Sequence, residues 1–169
     1  MSDARWIEVD DDLDSACRHF DGASRLYDEG GFDADGLTGY KARMALLHSM
    51  QSAHTSLEAA LKRILEILGE ELPAGDQSHA DLVRRVARII TTPGHARPAI
   101  LPEEVARDVD ESRRFRHRAT HDYDKFDPAL AAPSLEAARR LAVALKPRIA
   151  EFREVVDPPS DTTARQAPA

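Results

Sequence analysis

A chain of 169 residues, 42% hydrophobic and 31% charged, has the size and makeup of one globular domain with a single core. A formal net charge of -7 argues against a general nucleic-acid binder, and one cysteine, Cys17, excludes an internal disulfide framework and a cysteine-only zinc site. No apolar run approaches the ~18 residues of a membrane span and the N-terminus has no apolar signal core, so a cytoplasmic protein is expected.

The charge is unevenly spread. Residues 1–35 hold eleven acids against three bases, whereas the remainder holds nineteen acids against twenty bases. The basic excess gathers around residues 113–118. A local cationic site on an acidic protein suits one aimed phosphate contact better than sliding along a polymer. The acidic run 10–14 reads as a solvated helix face.

Apolar residues at Trp6, Val9, Leu13, Cys17, Phe20, Ala23 and Tyr27 are three and four apart, which predicts an amphipathic helix over about 3–27, stopped by Gly30-Gly31. Cys17 lies on that stripe and reads as a small core residue. Tyr40, Met44, Leu47, Met50, Leu57, Leu61, Ile64 and Leu68 keep the same period and predict the longest helix, with Gly69 as its stop. His48 and His54 fall inside it and read as surface or satisfied residues. Ser78 is expected to cap a shorter helix carrying Leu82, Val86, Ile89 and Ile90.

The segment 92–98, with two prolines and a glycine, cannot be helical and is long enough for a mobile flap. Pro102 with Glu103 and Glu104 opens the next helix, whose inward face carries Val105, Val109, Ser112 and Phe115 or Arg116. A loop is expected from 124 to 133, followed by a last helix capped by Ser134, with Leu135, Ala138, Leu141, Leu145, Ile149 and Phe152 inside and a bend at Pro147. Helices joined by short loops, without a convincing strand, predict an all-α antiparallel helical bundle of four to five helices over 1–155. The polar, proline-containing stretch 156–169 reads as a disordered tail.

Residues 113–123, Arg-Arg-Phe-Arg-His-Arg-Ala-Thr-His-Asp-Tyr, concentrate four arginines and two histidines near the end of a predicted helix. An arginine and a histidine brought to one point can cleave a phosphodiester without a metal: the histidine moves a proton and the guanidinium holds the charge building on phosphate oxygens. His117 and His121 are also four apart, the spacing of two metal ligands, with Asp122, Asp124 and Asp127 beside them. However, there is no Glu after His117 for a His-Glu-x-x-His site, and the acids lack the glycine and terminal glutamate of a calcium loop. The bland reading is a solvated arginine-rich helix end whose cations favour the C-terminal dipole.

Arg116-His117-Arg118-Ala119-Thr120-His121, extended by Tyr123, resembles the motif of the HEPN superfamily of helical-bundle ribonucleases, and within it the HepT toxins of toxin–antitoxin pairs. The resemblance covers about 37–152. It implies that Arg116 and His121 form the catalytic pair, with His117 as polar assistant and Arg114 and Arg118 as further phosphate-binding groups. It also implies attack by a ribose 2′-hydroxyl on the adjacent phosphate, with no metal or cofactor required, in a homodimer whose two motifs share one cleft. Residues five apart on a helix differ by about 140° in direction, so unwinding near His121 or a second subunit is needed to bring the pair together. The implied antitoxin is an MntA-type nucleotidyltransferase that attaches AMP to Tyr123. The alternative from another class is a non-catalytic binding subunit of a small nucleotidyltransferase; a purely structural dimerisation bundle is the third.

Overall fold

The structure is a computed structural model that describes residues 4–121 and 126–158, the side chains of 119–121 excepted. Five helices follow in order: α1 (Ala4–Glu29), α2 (Gly36–Ile67), α3 (Ser78–Val86), α4 (Glu103–His121) and α5 (Pro128–Val156). Among the described residues the only β pairing is an isolated antiparallel bridge between Ile90 and Arg97. The expected all-α bundle is what forms. Helix α1 packs on α2 and α5, α4 packs on α5 and α2, and the short α3 rests against α4 and α2.

The apolar stripe of α1 is buried as its period requires: Trp6, Val9, Leu13, Phe20 and Ala23 are inside, with Ala16 beside them and Cys17 and Tyr27 only partly buried. They meet Leu46, Met50, Leu57, Leu61 and Ile64 of α2 and Leu141, Leu145 and Ile149 of α5 in one continuous core. Each large side chain so enclosed stabilises the fold by about 1.5–3 kcal/mol relative to exposure.

The acids of α1 are not simply bathed in water. Asp12 and Glu8 both meet Arg63 of α2, the former at 2.9 Å, and Asp10, Asp14 and Asp28 meet Arg153, Lys146 and Arg139 of α5. Such exposed pairs add little energy singly, but the order of the three to α5 shows that α1 runs antiparallel to it. Trp6 completes that seam: its Nε1 donates to Asp157 at 2.9 Å and its ring carries the Arg153 guanidinium 4.9 Å from the centroid.

Glycines terminate the helices where the sequence places them. Gly30 and Gly31 both have positive φ and end α1. At the end of α2, Gly69 (φ 71°) lets its own N–H reach Glu66 O at 3.0 Å and the Glu70 N–H reach Leu65 O at 2.9 Å, which satisfies two terminal carbonyls at once. Gly39 has a different role. A Cβ there would stand 1.9 Å from the Ala34 carbonyl oxygen, so only glycine lets α2 leave the loop so tightly.

Three boundaries differ from expectation. Helix α3 stops at Val86, with Gln77 at the capping position and Ser78 already helical; Ile89 lies outside it and is 66% exposed. The Val86 carbonyl is taken instead by the Ile100 and Leu101 N–H groups at 2.8 and 3.1 Å, which turns the chain toward α4. The loop over 87–101 is tied down by Arg97, which is 6% exposed, clasps the Glu70 carboxylate with Nε and Nη2, and donates from Nη1 to the carbonyls of Arg88 and Pro98.

The last helix begins at Pro128, six residues before the expected Ser134. Asp127 caps it by accepting from the Ala129 N–H at 2.8 Å, and Pro128 needs no partner at the first turn. Pro133 therefore sits inside the helix, and Ser134 is buried, bonded to Glu111 and Arg118.

Candidate functional site

Helix α4 carries the motif. Its first turn holds Glu103 and Glu104 and its last turns hold the arginines, the polarity that its dipole favours at both ends. Val105, Val109, Ser112 and Phe115 are buried, so Arg116 emerges at the edge of the core rather than in open solvent. Its side chain is 30% exposed, and Nη1 donates to Glu58 Oε2 at 3.2 Å.

Glu58 is the centre of the site, and sequence reasoning missed it. It lies on the inward face of α2 and is 6% exposed. While Oε2 meets Arg116, Oε1 accepts from His79 Nδ1 of α3 and lies 3.3 Å from His54 Nε2, one turn back on α2, without hydrogen-bond alignment there. His54 is wholly buried and its Nδ1 meets Ser112 Oγ of α4 at 3.2 Å. Burial by itself pushes the Glu58 carboxyl up, but the close approach of the His54 and His79 rings, the latter hydrogen-bonded to it, outweighs burial and holds the group at about 2. One ionised carboxylate thus joins three helices. The available signal was a histidine and a glutamate four apart on the same stripe as Leu57 and Leu61.

A cleft of about 430 Å³ opens above this network, lined by His79, Arg113, Arg116 and His117, with Asp76 and Gln77 from the approach to α3. Arg113 is held by Asp110 at 2.7 Å. Of the residues singled out by sequence, Arg116 and His117 are therefore brought to one place. Arg114 is exposed and pairs with Asp110 at 2.9 Å; it does not line the cleft. Arg118 turns to α5, where Nη2 bonds Ser134 Oγ at 3.0 Å, and it also meets Glu111 Oε1 of its own helix at 3.3 Å.

His121 is the last residue of α4, so the helix continues through the whole motif and the angular offset from Arg116 persists. The His121 side chain and all of Tyr123 lie outside the described residues. A further cleft of about 470 Å³ lies farther along α3, lined by Arg84, Arg85, Arg88, His95 and Glu70. Two of its cations are engaged, Arg84 with Asp81 at 2.9 Å and Arg85 with Glu70 at 3.7 Å.

Chemically, the first cleft offers two guanidiniums and two imidazoles to an oxyanion. A phosphate oxygen fits that set, since guanidinium N–H groups donate to it in pairs and imidazoles exchange protons near neutral pH. Among the described residues no helix is long and apolar enough to cross a membrane.

No curated protein and no solved structure matches the chain. The HepT-like protein family, generally a family of HEPN nucleases, matches residues 45–156, from the first third of α2 through the end of α5. That span includes Glu58, α3, the cleft and the entire motif. The chain belongs to the HepT-like family of HEPN-superfamily proteins.

Proposed function

We propose that the protein is a metal-independent endoribonuclease, the toxin of a HepT/MntA-type pair, acting in the cytoplasm. The observation that carries the reading is Arg116, set by Glu58 at the wall of a cleft it shares with His117, inside the span that matches the family. An RNA phosphate entering the cleft meets the guanidinium, which stabilises the charge gathering on its oxygens during attack by the neighbouring 2′-hydroxyl. His121 transfers a proton in that step, and the products are a 2′,3′-cyclic phosphate and a 5′-hydroxyl.

Helix α4 stays helical through His121, and backbone positions five apart on a helix differ by about 140° in direction. A two-fold dimer resolves this by letting each motif complete the other. Control falls to Tyr123: AMP attached there by an MntA-type nucleotidyltransferase brings a phosphate that competes for Arg116, Arg114 or Arg118.

The test is cleavage of single-stranded RNA by the purified chain. His121→Ala and Arg116→Ala should each lower the rate by about 10²–10⁴-fold with the fold intact, and Arg116→Lys should restore little, because a point charge lacks the planar fork. Activity should persist in excess chelator. Activity lost to chelator and regained with zinc, or His121→Ala as active as wild type, refutes the reading. Co-expression with the antitoxin should add AMP mass to the wild type and none to Tyr123→Phe.

A further inference from the structure

Cleavage by a 2′-hydroxyl moves two protons, one off the attacking hydroxyl and one onto the departing 5′-oxygen. The motif supplies one histidine at its end, His121. The cleft holds another imidazole that belongs to no motif: His79, near the start of α3. Its side chain is 45% exposed, it lines the same cleft wall as Arg116, and its Nδ1 is bonded to Glu58. With Nδ1 engaged, Nε2 is the nitrogen left for exchange.

An ionised carboxylate behind one imidazole nitrogen fixes the ring's tautomer and orientation and stabilises the positive ring. Glu58 is suited to that task. It is buried, it remains negative through the neutral range, and its second oxygen holds Arg116. His54 stands 3.3 Å behind it and is itself bonded to Ser112 of α4. The same carboxylate therefore sets a proton donor and a phosphate-binding cation side by side within one copy of the chain.

We propose that His79 is a second proton-transfer residue, the general acid at the leaving 5′-oxygen, oriented by Glu58. The proposal rests on the nuclease reading and assigns the two protons. The 2′-oxygen to phosphorus bond forms as the 2′-hydroxyl proton passes to the His121 imidazole. The bond from phosphorus to the 5′-oxygen breaks as protonated His79 gives its Nε2 proton to that oxygen. Exchange with water returns both rings to their starting states. Glu58 is a positioning residue and touches no reacting atom.

Replacing the departing oxygen by sulfur tests this, because a thiolate leaves without being protonated. The wild-type cut is first mapped in a single-stranded RNA of mixed sequence, and the 5′-oxygen at that bond is then exchanged for sulfur. His79→Ala and His79→Gln are compared with wild type on both substrates; the glutamine retains a donor for Glu58 and guards against loss of the fold, checked by thermal melting. On ordinary RNA both variants should be slower by about 10²-fold or more, and on the sulfur substrate they should come within about threefold of wild type. His121→Ala should be slow on both.

Equal losses on the two substrates from folded His79 variants overturn the proposal, as does near-wild-type cleavage of ordinary RNA; two His121 side chains would then supply both protons. Wild-type protein inert on ordinary RNA removes the nuclease reading and this assignment together.

Discussion

Replacing Glu58 by glutamine keeps the shape of the side chain and deletes the charge that Arg116, His79 and His54 share. The carboxyl is held at about 2 against an ordinary 4.5, and it is buried, so solvent screening of the effect is small. At about 1.4 kcal/mol per pH unit, that difference corresponds to about 3 kcal/mol of stability at neutral pH. A domain of this size loses about 2–4 °C of melting temperature per kcal/mol, so Glu58→Gln should melt about 6–12 °C lower.

The sign of the pH dependence follows from the direction of the shift. A carboxyl with a depressed folded pKa stabilises the fold fully above its unfolded value, and that contribution disappears as pH falls from 4.5 toward 2. The glutamine variant has nothing to protonate, so the two proteins should converge in stability across that window. Helical circular dichroism followed through heating, at several pH values from about 7 down to about 2.5, measures both quantities. A variant that melts with wild type at neutral pH, or a gap that stays constant into acid, refutes the argument that this carboxylate is the electrostatic centre of the site.

Two other substitutions test the frame that holds it. Gly39→Ala drives a Cβ into the Ala34 carbonyl, where backbone must shift, and should destabilise by about 1–3 kcal/mol in urea denaturation. Arg97→Lys keeps the charge but cannot span the Glu70 carboxylate and the loop carbonyls together; limited proteolysis should then cut within 87–101 faster than in wild type, with the rest of the chain protected.

The helical frame was legible because its signals are local. Trp6 to Ala23 and Leu47 to Ile64 repeat every three to four residues, and Gly30 and Gly69 stop those runs. The start of α5 was misplaced because Pro133 reads as a breaker, whereas the stronger local device was Asp127 followed by Pro128. Pro133 lies beyond the first turn and forfeits one backbone hydrogen bond, yet the capped start and the alanine-rich run 129–132 carry the helix across it.

Arg116 was legible as chemistry but its setting was not. His54 falls on an apolar stripe, where an imidazole looks incidental, and its meaning depends on Glu58 beside it and Ser112 from a helix 58 residues away. His79 had no pattern of its own; only the packing of α3 against α2 brings it to the carboxylate.

The corner between α1 and α2 has a consequence beyond that junction. Phe32 sits between Tyr27 and Phe126, with ring centroids 6.1 and 5.2 Å away, and the Tyr27 hydroxyl donates to the Pro128 carbonyl at 2.9 Å. The chain emerging downstream of the motif is thus moored to residues from before the span matched by the family. The N-terminal helix acts as a strut whose far end bears on Phe126 and Pro128. Trimming the protein to its matched residues would remove that mooring while leaving every motif residue in place.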